Sequence, residues 1–223
     1  MKNVWVFMAG IIMTMLFASS TVPVGYAASQ AATISTRTFN QTIQGYHMDL
    51  EYPEVVMQDN VQAGQRISMY FRPDAALLEQ EYKNMPEGNI VGDTRQRFTV
   101  QANDGKYLSF VINQRIMPRG AAHAIYAPKG LTFDAATGTS LKWQDVIQEQ
   151  DAAAFSLAGI NEAIAKSDAA AQGKLYKDFQ GLKDFPSQYY IAPDGDIHFL
   201  FDPYYIGPFA SGVIDINMHK KAK

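Results

Sequence analysis

The chain has 223 residues, a formal net charge of −3 and no cysteine. Without thiols there are no disulfides, no thiol catalysis, no thiolate zinc and no cysteine-ligated iron–sulfur cluster. The mild acidity leaves no electrostatic footprint for nucleic acid or anionic lipid, so neither is an expected partner.

The N-terminus opens with Lys2, then an apolar run from Val4 to Ala18, then Gly25 and Ala27 at the −3 and −1 positions of a cleavage site. That layout predicts a signal peptide over residues 1–27, cut after Ala27. The run is short for a permanent span, so membrane contact would come only through an uncleaved signal. The predicted location is secreted or periplasmic, within the cell envelope. Residues 28–38 are small and polar and are expected to be a flexible leader.

In YHMDLEYPEV, Tyr46, Met48, Leu50 and Tyr52 alternate with His47, Asp49 and Glu51, which predicts a half-buried strand ending at Pro53. In VQAGQRISMYFRPDAALLEQEYKN the apolar spacing of three and four predicts a helix in two segments around Pro73. The rival reading is a short strand RISMYF followed by a separate helix. Residues 85–94 read as a loop. RFTVQANDGKYLSFVINQRI reads as a hairpin turning at Asn103-Asp104-Gly105. Phe98 and Val100 would line one face of its first strand, and Leu108, Phe110 and Ile112 one face of its second.

A further strand pair follows around HAIYAPKGLTFDAATGTSLKW, turning near Gly138. Helix is expected from Trp143, with Ala152, Ala153 and Ala154 contributing propensity and Phe155, Leu157, Ile160 and Ile164 an apolar stripe. Residues 167–187 form a looser connection. QYYIAPDGDIHFLF is the clearest hairpin, turning at Pro193-Asp194-Gly195, and VIDINM adds one more strand. The fold class expected is α+β: an antiparallel sheet packed with helices, in one interlocked unit whose sublobes would divide near residue 116.

Three stretches, in order, resemble the DUF3298 family of bacterial extracytoplasmic domains. They are GAAH (Gly120 to His123), LTFDAATGTSLKWQDVI (Leu131 to Ile147) and YYIAPDGDIHFLFDPYYIGPFASGVIDI (Tyr189 to Ile216). The resemblance covers roughly residues 117–220. Residues 39–116 resemble, more weakly, the DUF4163 region that often precedes it, through YHMDLEYPEV, the following helix and GKYLSFVINQRI. The resemblance implies a compact α+β exported module. Relatives include an anti-sigma factor whose outer part recognises host lysozyme, and peptidoglycan deacetylases that carry the module beside their catalytic domain. This chain shows neither the cytoplasmic anti-sigma segment nor the deacetylase domain, so those roles do not transfer. It also departs from the family at Ala121, Ala122 and Ala124, where glycines are usual around the histidine.

His123 is the sharpest candidate side chain, because an imidazole can titrate, accept or bind metal. Its ordinary reading is a loop hydrogen bond. Asp194, Asp196, His198 and Asp202 crowd together in sequence, but strand alternation separates them and turn geometry explains them without a metal. No metal site, cofactor site or catalytic residue is assigned. The aromatics of DPYYIGPF exceed what a sheet face needs, so Tyr204, Tyr205 and Phe209 join His123 as ligand-binding candidates. The leading function is an exported, noncatalytic binding module. Its partner would be an extracytoplasmic protein, such as a lysozyme-like hydrolase, or a peptidoglycan fragment. The alternatives are a cofactor-independent cell-wall glycan hydrolase, which needs two separated carboxylates in a cleft, and a structural envelope protein.

Overall fold

The structure, a computed structural model, describes residues 31–43, 45–73 and 91–218. The signal peptide expected over 1–27, the helical segment expected after Pro73 and residues 85–90 of the expected loop lie outside the described residues.

Strands β1 (Thr33–Ile43) and β2 (Tyr46–Val56) form a long antiparallel ribbon, with Thr33 opposite Val56 and Thr42 opposite His47. Residues 33–38 are therefore strand, which corrects the leader expected to reach residue 38. Ile34 packs against the core, while Ser35 and Arg37 reach Glu54 on β2.

Helix α1 (Val61–Phe71) follows, so the helical reading holds over the strand RISMYF. The Asn60 side chain caps its start by accepting from the Ala63 N–H at 3.2 Å. Its end comes before Pro73, as proline geometry requires. The helix lays Ala63, Gly64 and Ile67 on β2. Phe71 meets Phe110 and Phe133 edge-on, at 5.1 and 5.5 Å between ring centres.

Strand β3 (Val91–Asn103) pairs with β2 in parallel, His47 to Leu50 against Asp93 to Gln96. The sheet is thus mixed rather than purely antiparallel, a correction with a plain cause. The chain returns from β2 to β3 by a crossover containing α1, and a crossover delivers a parallel strand where a tight turn cannot. Strand β3 also begins at Val91, inside the stretch expected to be loop up to residue 94.

The hairpin to β4 (Tyr107–Pro118) turns where expected. Gly105 has φ +82°, and the Asp104 carboxylate accepts from the N–H groups of Lys106 and Tyr107 at 2.8 and 2.7 Å. Val100, opposite Phe110, is exposed, contrary to the burial expected, and a register shift after it places Ala102 in the core beneath the second sheet. Strands β5 (Ile125–Asp134) and β6 (Ser140–Leu141) complete a six-stranded sheet in chain order β1 to β6. The division expected near residue 116 falls near the end of β4, which pairs with β5 from Tyr107–Asp134 to Ile116–Ile125.

The C-terminal strands β7 (Tyr189–Ile191), β8 (Ile197–Phe201) and β9 (Ile214–Met218) form a separate antiparallel sheet with β8 in the centre. Its inner face carries Tyr189, Ile197, Phe199, Ile214 and Ile216. These pack with Trp143 of helix α2 (Trp143–Val146), with Phe155, and with Ile160 and Ile164 of helix α3 (Leu157–Lys166). A short helix α4 (Asp168–Ala171) follows. Ala152 to Ala154 form turns rather than the expected helix. The Ser156 hydroxyl restarts the helix by accepting from the Gly159 N–H at 3.1 Å, and a new cap overrides alanine propensity.

The two sheets meet at β4, β5 and β7. The Ile191 N–H donates to Ser109 Oγ at 2.9 Å, and Ser109 Oγ lies 2.9 Å from Thr132 Oγ1. A Cβ on Gly130 would fall inside the van der Waals envelope of the Tyr189 carbonyl oxygen, so only glycine permits this approach. β4 is consequently buried on both faces. Leu108, Phe110 and Ile112 face α1, while Val111 joins Tyr190, Ala192 and Leu200 of the second sheet.

Candidate functional site

The end of β4 turns through Gly120, φ +76°, with the Ala121 N–H donating to the Pro118 carbonyl at 3.1 Å. This sets His123 on the surface just before β5. From the other side of the chain, the segment between β8 and β9 folds back. The Tyr176 N–H donates to the Ile206 carbonyl at 3.0 Å, the Ser211 hydroxyl donates to Lys174 O at 2.7 Å, and Ile206 is fully buried as the anchor.

These two loops meet. The His123 and Phe209 rings lie 4.3 Å apart between centres, at 32°. Tyr204 stacks on Phe209 at 5.5 Å, and Tyr126 lies 6.3 Å from it. Tyr204 is 55% and Tyr126 44% exposed, so the rings form a ledge with one side in water. The His123 Nδ1 sits 3.4 Å from the Ala124 carbonyl, which leaves most of the imidazole edge turned outward. Tyr204 has φ +73°, the sole non-glycine in the left-handed region among the described residues. That conformation is costly for a tyrosine and is held by the Tyr204 N–H donating to Gly207 O at 3.0 Å.

Three of the four residues singled out from sequence, His123, Tyr204 and Phe209, therefore share one surface. Tyr205 does not join their stack. It is 59% exposed and its ring packs on Phe201 at 5.8 Å. Tyr126, which sequence reasoning passed over, belongs to the ledge. Its only signal was its position three residues after His123.

The acidic cluster read from sequence separates. The Asp194 carboxylate accepts from the Asp196 N–H within the turn, at 3.0 Å, and among the described residues no three potential metal ligands gather. His198 instead faces Asp215. Its Nδ1 donates to Asp215 Oδ1 at 2.8 Å, and the Tyr190 hydroxyl donates to Asp215 Oδ2 at 2.6 Å. Tyr190 stacks on His198 at 4.7 Å. Burial, together with the Asp215 carboxylate, holds the Tyr190 phenol far above the usual range, so it stays protonated and donating. Period-two reading of β7, β8 and β9 together places Tyr190, His198 and Asp215 on the face away from α3, and this was the available signal. Beside them a cavity of about 930 Å³ opens between β9 and α3.

No protein-family model and no curated protein matches the chain. Solved structures do. A DUF3298 family protein from Pseudomonas aeruginosa PAO1 superposes with a TM-score of 0.57 at 14% identity, over 86% of this chain and 92% of that one. A DUF3298 family member from Bacteroides fragilis NCTC 9343 gives a TM-score of 0.55 at 18% identity, over 86% and 91%. The chain shares the fold of solved DUF3298 proteins. Among the described residues no helix is long and apolar enough to cross a membrane.

Proposed function

We propose that this chain is an exported, noncatalytic binding module of the DUF3298 type, preceded by a DUF4163-like region, that recognises an extracytoplasmic protein or a peptidoglycan-related ligand. The observation that carries this reading is the His123–Phe209 stack. It joins two loops 86 residues apart into one exposed aromatic surface. Rings with one wet side suit a protein hot spot or the apolar face of a sugar.

The test is a binding screen of the purified secreted product against lysozyme-type wall hydrolases and defined peptidoglycan fragments, with product analysis in parallel. Saturable binding without turnover, weakened at least tenfold in Tyr204→Ala and in Phe209→Ala, supports the proposal. Metal-independent cleavage abolished by a single carboxylate substitution would replace it with the hydrolase reading. N-terminal sequencing of the product should begin at Ala28, and an intact Met1 on cytoplasmic material would remove the export part.

A further inference from the structure

We propose that the open edge of β9 takes up an extended peptide segment of a partner protein as a fourth strand, in a groove separate from the aromatic ledge. The register fixes which backbone groups are available. The Leu200 N–H donates to Gln188 O at 3.0 Å, and the Ala192 N–H to Asp196 O at 2.8 Å, so the even residues of β8 pair toward β7. In an antiparallel ladder this property alternates, so Ile197, Phe199 and Phe201 exchange hydrogen bonds with Met218, Ile216 and Ile214. Asp215 and Asn217 then turn their N–H and C=O groups away from β8. Among the described residues those groups have no backbone partner.

The cavity of about 930 Å³ runs beside this edge. One wall is formed by Ala154 in the turn before α3 and by Ala163 on α3, whose methyl groups leave room for a larger apolar side chain. The other is the outer face of the sheet, where Asp215 and Asn217 point. Asn217 Oδ1 is a buried acceptor with no hydrogen-bond partner among the described residues, at a position where an incoming donor would satisfy it. Asp215 and Asp168 line the same space and favour a cationic donor. A strand lying between a sheet edge and a helix presents alternate side chains to opposite walls. The walls here therefore specify the peptide: apolar residues toward α3, alternating with amide, hydroxyl or lysine donors toward Asn217 and Asp215. Backbone complementarity favours a peptide over a glycan, because the edge offers donors and acceptors at strand spacing.

The test uses an acetylated, amidated hexapeptide of alternating valine and lysine, titrated into the ¹⁵N-labelled protein. The amide resonances of Asp215 and Asn217 are expected to shift saturably. The same peptide N-methylated at every residue keeps its side chains but loses its backbone donors. It is expected to bind at least about tenfold more weakly, the scale of a lost hydrogen bond. Because this comparison alters only the ligand, the folding of the protein is not in play. Equal affinity of the two peptides would overturn the proposal. So would unmoved Asp215 and Asn217 amides at the peptide's solubility limit. Shifts that depend on protein concentration without peptide would also overturn it, by assigning the edge to a second copy of the chain.

Discussion

The six-stranded and three-stranded sheets bury their apolar residues in different ways. The first does so with long ladders. β4 is covered on both faces, and one helix closes the core through Phe71, Phe110 and Phe133. The second has strands of three to five residues, and short helices supply the rest of the core through Trp143, Phe155, Ile160 and Ile164. Its connecting segment from Asp202 to Val213 is free of ladder pairing and carries Tyr204 and Phe209. Regular pairing thus provides the frame, and the sparsely paired region provides the recognition surface.

The largest effects are expected in the two cores. Phe199 is fully buried against Trp143 and Phe155. Phe199→Ala is expected to cost about 3–5 kcal/mol, and Phe110→Ala in the other core a similar amount. Urea unfolding followed by tryptophan fluorescence and by far-UV circular dichroism should give coincident transitions in the wild type. Separated transitions would mean that the two sheets fold independently. At their junction, Gly130→Ala pushes a methyl group into the Tyr189 backbone and is expected to cost about 2–3 kcal/mol by the same measurement.

Gly195 isolates a purely conformational effect. Its φ is +86° and an added Cβ would meet nothing within 4 Å. Gly195→Val should lose roughly 1–3 kcal/mol, and Gly195→Asn distinctly less, because asparagine tolerates this region. Equal unfolding midpoints for Gly195→Val and wild type would reject the turn.

Tyr204 sharpens the contrast between frame and recognition surface. Tyr204→Gly relieves the left-handed strain that Tyr204→Ala retains, while both lose the stack on Phe209. The glycine variant is expected to be more stable than the alanine variant by about 1 kcal/mol, with ligand binding weakened in both. A less stable glycine variant would show that the strain is not stored there.

The smallest effect lies in the first sheet. The Arg97 guanidinium, 2.6 Å from Asp49, holds that carboxyl below its ordinary value, against a partial desolvation. A depressed folded-state value means the contribution is fully present above the unfolded value, about 3.9, and is lost as pH falls through the folded one. Asp49→Asn should therefore cost less than about 1 kcal/mol at neutral pH, given the exposure of Arg97. That difference should shrink as pH falls below the unfolded value. A difference independent of pH would rule out the ion pair as its source.

The hairpins at Gly105 and Gly195 and the helix over 61–71 were legible because each is set by local chemistry: a positive-φ residue, an amphipathic spacing, a proline stop. What stayed hidden depended on distant partners. The parallel register of β2 and β3 has no local signature. Val100 fits the apolar alternation in sequence but is exposed in space, and the bulge just after it was hidden because a bulge is decided by the partner strand. The propensity of Ala152 to Ala154 yielded to the cap at Ser156. His123, Tyr204 and Phe209 could be picked out by residue type, but nothing in the chain announced that His123 lies against Phe209. Likewise, the neighbours of His198 in sequence drew attention from Asp215, its partner across the sheet.

The parallel seam between β2 and β3 has a kinetic consequence. The β1–β2 ribbon and the β3–β4–β5 meander are each built from contacts close along the chain, whereas the seam joins His47 to Asp93 through a register of four residue pairs among the described residues. Closing that long loop spends chain entropy before any pairing repays it, so docking of the ribbon is expected late in folding. The Tyr46 hydroxyl donates to Thr94 Oγ1 across this seam. Tyr46→Phe should then accelerate unfolding while leaving the refolding rate nearly unchanged, as a chevron measurement would show.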